Sequence, residues 1–73
     1  IRLFVESKKI KKTVKLENAL NNLDFVNNYK IEKFDSYEIV YKVYYNSSPK
    51  RFLKDILAYD IIVDTTAANW KVK

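Results

Sequence analysis

Apolar and polar residues alternate along two segments of this chain. In residues 1–6, Ile1, Leu3 and Val5 share one face, and a longer alternation in residues 37–45 is rich in Tyr, Val and Ile. A two-residue period is typical of strands that bury one face. Further strands are predicted at 61–66 and 70–72. A more polar strand at 29–34 is expected at a sheet edge.

Two intervening segments carry apolar residues at helical spacing. In the first, Thr13 is a candidate N-cap, and the helix is predicted to end near Asp24 or Phe25, with an apolar stripe of Leu16, Ala19, Leu20 and Leu23. In the second, Ser48 is the candidate N-cap and Pro49 suits the first helical position. Its apolar stripe consists of Phe52, Leu53, Ile56 and Leu57.

The order strand, helix, strand, strand, helix, strand predicts an α+β, ferredoxin-like βαββαβ two-layer sandwich. We expect a four-stranded antiparallel sheet with two helices on one face, followed by a short C-terminal hairpin. We also expect right-handed crossovers to make the first and third strands parallel neighbours. Residues 1–73 are predicted to form one domain, and the start at Ile1 suggests a domain excised from a longer protein.

The composition removes most of the residue types that carry catalysis. The chain has no Gly, Cys, His or Met and only one Pro. The common nucleophile–base pairs and the glycine loops that cradle phosphate are therefore absent. We predict that the chain is not an enzyme, with no catalytic residue, no metal ligand and no cofactor.

The net charge of +5 lies at one end of the chain. Residues 1–15 hold six cations and one anion, and the other residues hold eight of each. Parallel first and third strands would bring the loop 8–12 and the start of the second helix together, and a helix N-terminus favours anions. The hypothetical basic pole consists of Lys8, Lys9, Lys11, Lys12, Ser48, Lys50 and Arg51. The alternative interpretation is a solvated, lysine-rich loop.

The open face of the predicted sheet is a second candidate surface. Leu3-Phe4-Val5 resembles the first-strand motif of RNA-recognition domains, which use this fold. That resemblance implies base stacking on Phe4 and Tyr44. The favoured alternative is that the terminal hairpin, another domain or a second subunit covers Phe4, Val40 and Tyr44. Trp70 is either an interface anchor or the closure of a small core. The hypothetical interface therefore consists of Phe4, Tyr44 and Trp70.

Hydrophobic spacing along the chain resembles the C-terminal part of an uncharacterised family of exported proteobacterial proteins. The matching residues are Leu16, Leu20, 23–26, 43–46, Leu53, Leu57 and 70–72. That family usually has a glycine near Asn46 or Ser47, which this chain lacks. The resemblance implies a bacterial protein of the cell envelope or periplasm with no known activity, and the cytoplasm is the alternative location. No apolar run approaches the roughly 20 residues that cross a bilayer.

These observations predict a non-enzymatic protein-interaction or structural module. It would present its open sheet face or a strand edge to a protein partner or to its own copy. The alternative function is nucleic-acid or anion binding through the basic pole, with nucleic acid the less favoured partner. An accessory domain of an enzyme whose active site lies elsewhere is a third interpretation.

Overall fold

Five strands and two helices follow one another along the chain, and the computed structural model describes all residues from 1 to 73. The strands are β1 (Arg2–Glu6), β2 (Val26–Phe34), β3 (Glu38–Tyr45), β4 (Val63–Asp64) and β5 (Trp70–Val72). The helices are α1 (Ile10–Asn22) and α2 (Pro49–Leu57). The prediction of a small α+β domain with two helices is confirmed.

The strands form one mixed sheet in the order β2-β3-β1-β5-β4. β5 lies beside β1 and runs parallel to it, with Leu3 opposite Trp70. In a ferredoxin-like sheet the strand in this place is antiparallel to β1, so the predicted four-stranded antiparallel arrangement is not confirmed. β4 and β5 pair antiparallel, as expected for a C-terminal hairpin.

The expectation that the first and third strands run parallel is wrong. β1 and β3 are neighbours, but they pair antiparallel, with Leu3 opposite Tyr41 and Glu6 opposite Glu38. The physical reason is the connection between them. A helical crossover keeps β2 in the direction of β1, and the short turn after β2 reverses the chain. β3 therefore runs against both strands.

Both helices cover the same face of the sheet. Alternate residues of β1 and β3 point into a single apolar cluster that also holds the buried side chains of α1 and α2. The cluster consists of Leu3, Val5, Leu16, Ala19, Leu20, Ile39, Tyr41, Val43, Phe52, Ile56, Ile61 and Val72. The opposite face of the sheet has no layer over it.

The two helices begin differently from one another. α2 begins as predicted, because the Arg51 amide donates to Ser48 Oγ at 3.2 Å and Pro49 occupies the first turn. α1 begins at Ile10, earlier than predicted. Thr13 is buried inside α1 and its hydroxyl donates to the Ile10 carbonyl at 2.7 Å, so it is not a cap. Residues 11 and 12 are therefore helical rather than part of a loop.

The chain after α2 differs from the prediction in two respects. Leu57 belongs to the predicted apolar stripe but is 56% exposed, and the buried residues of α2 are Phe52 and Ile56. Asp60 adopts φ 60°, in the left-handed region, and this turns the chain sharply. Of the predicted strand 61–66, only Val63 and Asp64 form β4, and the Thr66 amide donates to Asp64 Oδ1 rather than to a neighbouring strand.

Two tyrosine hydroxyls tie the sheet to the helices. Tyr41 donates to Glu17 Oε2 of α1 at 2.6 Å, and Tyr45 donates to Asp55 Oδ2 of α2 at 2.6 Å. Burial raises the pKa of Tyr41, and burial with the Asp55 hydrogen bond raises the pKa of Tyr45 to about 12. Both phenols are therefore protonated donors at neutral pH.

We expect Tyr41→Phe to lower the free energy of unfolding by about 1 kcal/mol, because a partly buried hydrogen bond to a carboxylate is lost while the ring still fills its site. Tyr44→Phe is the matched control, since Tyr44 lies on the exposed face of the same strand. Urea unfolding followed by circular dichroism measures both changes. Equal stability of the two variants would contradict the structural role of the Tyr41 hydroxyl.

Candidate interaction surfaces

The residues of the hypothetical basic pole lie in two separate places. Lys8, Lys9, Lys11 and Lys12 follow the end of β1, where Glu6 pairs with Glu38 at the start of β3. Ser48, Lys50 and Arg51 follow the end of β3, where Val43 pairs with Ile1 at the start of the chain. The antiparallel direction of β1 and β3 puts these clusters at opposite ends of the sheet. The single shared pole is therefore wrong.

The N-terminal cluster is a concentrated positive charge. None of its lysines forms a salt bridge, and neither does the neighbouring Lys15. The cations that form ion pairs in this chain are Arg2, Lys33 and Arg51. The N-cap position of α1 is Lys9, and no acidic residue lies in the first turn. This arrangement opposes the helix dipole. An external anion would relieve that repulsion.

The cluster at α2 is more fully engaged within the chain. The guanidinium of Arg51 lies 4.5 Å from the Phe25 ring centroid, and its Nε is 3.8 Å from Asp55 Oδ2. Ser48 already accepts the Arg51 amide hydrogen. Lys50 and the neighbouring Lys54 form no salt bridge within the chain.

The hypothetical interface of Phe4, Tyr44 and Trp70 is also divided. Phe4 and Tyr44 lie on the open face, where the ammonium of Lys42 is 5.4 Å from the Tyr44 ring centroid. Trp70 pairs with the core residue Leu3 and packs against the apolar cluster on the opposite face. The position of Trp70 fits the closure of the core. Phe4 and Tyr44 share the open face, and Phe4 also lines a cavity together with Trp70, Arg2 and Lys42.

Ion pairs cross the open face of the sheet. Arg2 Nε lies 2.7 Å from Glu32 Oε1, and Lys33 Nζ lies 3.3 Å from Glu38 Oε1 and 3.4 Å from Asp35 Oδ2. Val40, opposite Phe4 in the register, is buried among these side chains. The face is therefore a largely charged surface with a small apolar centre.

The outer edge of β2 carries a surface that sequence analysis did not identify. β2 is an edge strand, as predicted, and a β-bulge separates Ile31 from Lys33. The bulge leaves Ile31 and Phe34 on the same face as the helices, opposite Tyr41 and Ile39. Ile31 is 49% exposed and Phe34 is 71% exposed.

Helix α1 adds two exposed apolar side chains beside this edge. Ile10 and Val14 occupy the same stripe of α1 as Asn21, at helical spacing. Asn21 Oδ1 accepts from the Tyr29 hydroxyl of β2 at 3.2 Å, which shows that this stripe faces β2. We call this surface the β2 flank, made of the outer edge of β2 with Ile10, Val14, Ile31 and Phe34.

A signal for part of the β2 flank is present in the sequence. Placing Leu16, Ala19 and Leu20 on a helical wheel puts Ile10 and Val14 beside the buried stripe rather than inside it. The exposure of Phe34 has no such signal, because it depends on the bulge.

Comparison with protein families, with curated proteins and with solved structures finds no match to this chain. Neither helix has the length and apolar composition needed to span a membrane. Nowhere do three or more metal-ligating side chains come together.

The Arg2–Glu32 ion pair has a measurable consequence. The hydrogen bond from Arg2 holds the pKa of Glu32 below its ordinary value of 4.5. Because the folded pKa is the lower one, the contribution of this pair is present above about pH 4.5 and is lost as the pH falls through the folded pKa.

We expect Arg2→Gln to raise the pKa of Glu32 toward 4.5, as measured by NMR titration of its side-chain carboxyl carbon. Lys33→Gln is the control, because Lys33 bonds Glu38 and Asp35 rather than Glu32. An unchanged Glu32 pKa in Arg2→Gln would mean that the ion pair does not persist in solution.

Proposed function

We propose that this chain is a non-enzymatic protein-interaction module that receives a partner strand along the β2 flank. The observation that carries the proposal is the length and composition of that edge. β2 has nine residues, most of them exposed, and no strand lies on its outer side. The other sheet edge, β4, has only two residues.

Backbone geometry supports strand addition at this edge. An unpaired edge strand presents a row of amide and carbonyl groups that an extended partner segment can bond. Exposed apolar side chains beside the edge then provide pockets for alternate side chains of the partner. Ile31 and Phe34 are the exposed apolar residues on β2, and Ile10 and Val14 continue this apolar surface onto α1.

The open sheet face is less well suited to this role. Its surface is crossed by the Arg2–Glu32 and Lys33–Glu38 pairs, and a partner would have to desolvate them. Buried ion pairs carry a desolvation cost that their attraction often fails to offset. The β2 flank requires no such burial on its helix side.

A ferredoxin-like relationship remains part of the proposal. The order β2-β3-β1 and the two helices on one face agree with that arrangement, and β5 occupies the place of its last strand. The resemblance to exported proteobacterial proteins, and with it a periplasmic location, likewise remains a prediction.

Site-specific photo-crosslinking tests the proposal. p-Benzoylphenylalanine replaces either Phe34 on the β2 flank or Tyr44 on the open face, in the full protein in its native cells. We expect a protein adduct from position 34 that disappears when Ile31→Asp is added. Adducts from position 44 alone would move the interaction to the open face and contradict the proposal.

A second candidate function is anion binding by the N-terminal lysine cluster. The observation in its favour is that these lysines form no salt bridge with a carboxylate. The exposed Ile10 lies between Lys9 and Lys11. Binding of nucleic acid there would be electrostatic, so the affinity would fall steeply with salt.

We expect any binding of labelled single-stranded RNA or DNA to be abolished when Lys8, Lys9, Lys11 and Lys12 are all replaced by Gln. Lys50→Gln is the control, because Lys50 lies at the other end of the sheet. Fluorescence anisotropy at two salt concentrations measures both. Absence of binding by the unmodified chain at low salt excludes this second function.

A further inference from the structure

We infer that the partner strand on the β2 flank is β2 of a second copy of this chain, paired antiparallel about an axis between Glu32 and Lys33. This inference rests on the proposed function, because it names the occupant of the same edge. Three features carry it, namely the direction of the edge backbone groups, the faces of the side chains and the order of the charges.

The backbone groups of Ile31 and Phe34 point away from the sheet. The backbone amide and carbonyl of Val43 both form hydrogen bonds with Ile1, on the β1 side of β3. The amide and carbonyl of Lys42, one residue earlier, therefore point toward β2. Successive strand residues alternate in direction. Lys30, opposite Lys42, therefore points to β3 and Ile31 points outward.

The same reasoning applies beyond the bulge. The Asp35 amide donates to the Glu38 carbonyl at 3.1 Å, so Asp35 points to β3 and Phe34 points outward. In the proposed register, Ile31 of each copy lies opposite Phe34 of the other. The outward-pointing backbone amides and carbonyls of Ile31 in one copy then face those of Phe34 in the other copy.

The side-chain faces agree with this register. Ile31 and Phe34 both lie on the helix side, opposite the buried Tyr41 and Ile39. Glu32 bonds Arg2 and Lys33 bonds Glu38, so both lie on the open side. Each copy would therefore place apolar residues against apolar residues on one face and opposite charges on the other.

Residues 31–34 read apolar, acidic, basic, apolar, which is self-complementary when the direction is reversed. Glu32 of each copy lies opposite Lys33 of the other, on both sides of the axis. A shift of one residue in either direction places Glu32 opposite Glu32 or Lys33 opposite Lys33, and like charges directly opposite are destabilising. Charge complementarity thus selects one register and favours a second copy over an unrelated strand.

Analytical ultracentrifugation over micromolar to millimolar concentrations tests the inference. We expect the mass to rise from 8.7 kDa toward twice that value, and Ile31→Asp to abolish the rise. Ile62→Asp is the matched control, because Ile62 is 54% exposed, against 49% for Ile31, and precedes the opposite sheet edge. A wild-type chain that stays monomeric throughout, or a dimer lost only in Ile62→Asp, overturns the inference.

A charge exchange tests the register itself. Glu32→Lys and Lys33→Glu each place like charges across the axis, so each variant alone should dimerise less than the wild type. Mixing the two variants restores both pairs, and we expect a heterodimer at least as abundant as the wild-type dimer. No heterodimer above the level of either variant alone overturns the register.

The inference and the proposed function can fail separately. A monomeric purified chain that still gives an Ile31-dependent adduct with another protein from position 34 overturns self-pairing and leaves the edge as a docking site. A monomeric chain that gives no adduct from position 34 overturns both self-pairing and the proposed docking function of the β2 flank.

Discussion

The apolar face shared by β1 and β3 is the constraint on which the rest of the structure depends. Its alternate side chains contact the buried stripes of both helices, and Val72 of β5 and Ile61 after α2 extend the same cluster. A chain of 73 residues buries little surface, and this one has no cysteine to form a disulfide. Because both helices are required on that one face, the opposite face and the β2 edge are left to solvent. The surfaces available for function follow directly from the core.

Elements with a strong local signal were predictable from the sequence. The alternation in β1 and β3 and the Ser48-Pro49 start of α2 need only neighbouring residues. The start of α1 was not, because Thr13 turns its hydroxyl back to Ile10 and leaves the helix without a side-chain cap. The placement of β5 was not predictable either. A three-residue strand carries no period that indicates its neighbour or its direction, and its parallel pairing with β1 is a tertiary contact.

The candidate site shows the same division between local chemistry and long-range placement. The start of α2 is where the sequence indicates, whereas Lys11 and Lys12 belong to α1 rather than to a loop. Whether the lysines meet the start of α2 depends on strand direction, and the turn after β2 reverses that direction. Trp70 shares the core side of β5 with the buried Val72, which no composition argument reveals. The face of Phe34 depends on the bulge after Ile31. Without that extra residue, strict alternation would put Phe34 on the open side.

Bulges and lysines usually protect an edge strand from pairing. On β2 they act together with acidic residues in a particular order. Arg2 holds Glu32 and Glu38 holds Lys33, so both signs of charge are fixed side by side at the edge. In the proposed pairing, this edge would repel a strand that places like charges opposite Glu32 and Lys33. It would accept a strand that places a basic residue opposite Glu32 and an acidic residue opposite Lys33. Residues 31–34 of a second copy meet this requirement when the two strands run antiparallel, because Glu32 of each copy then lies opposite Lys33 of the other. The bulge places Ile31 and Phe34 on one face and the charges on the other, so under the proposal it makes the edge selective for a partner rather than closed to pairing.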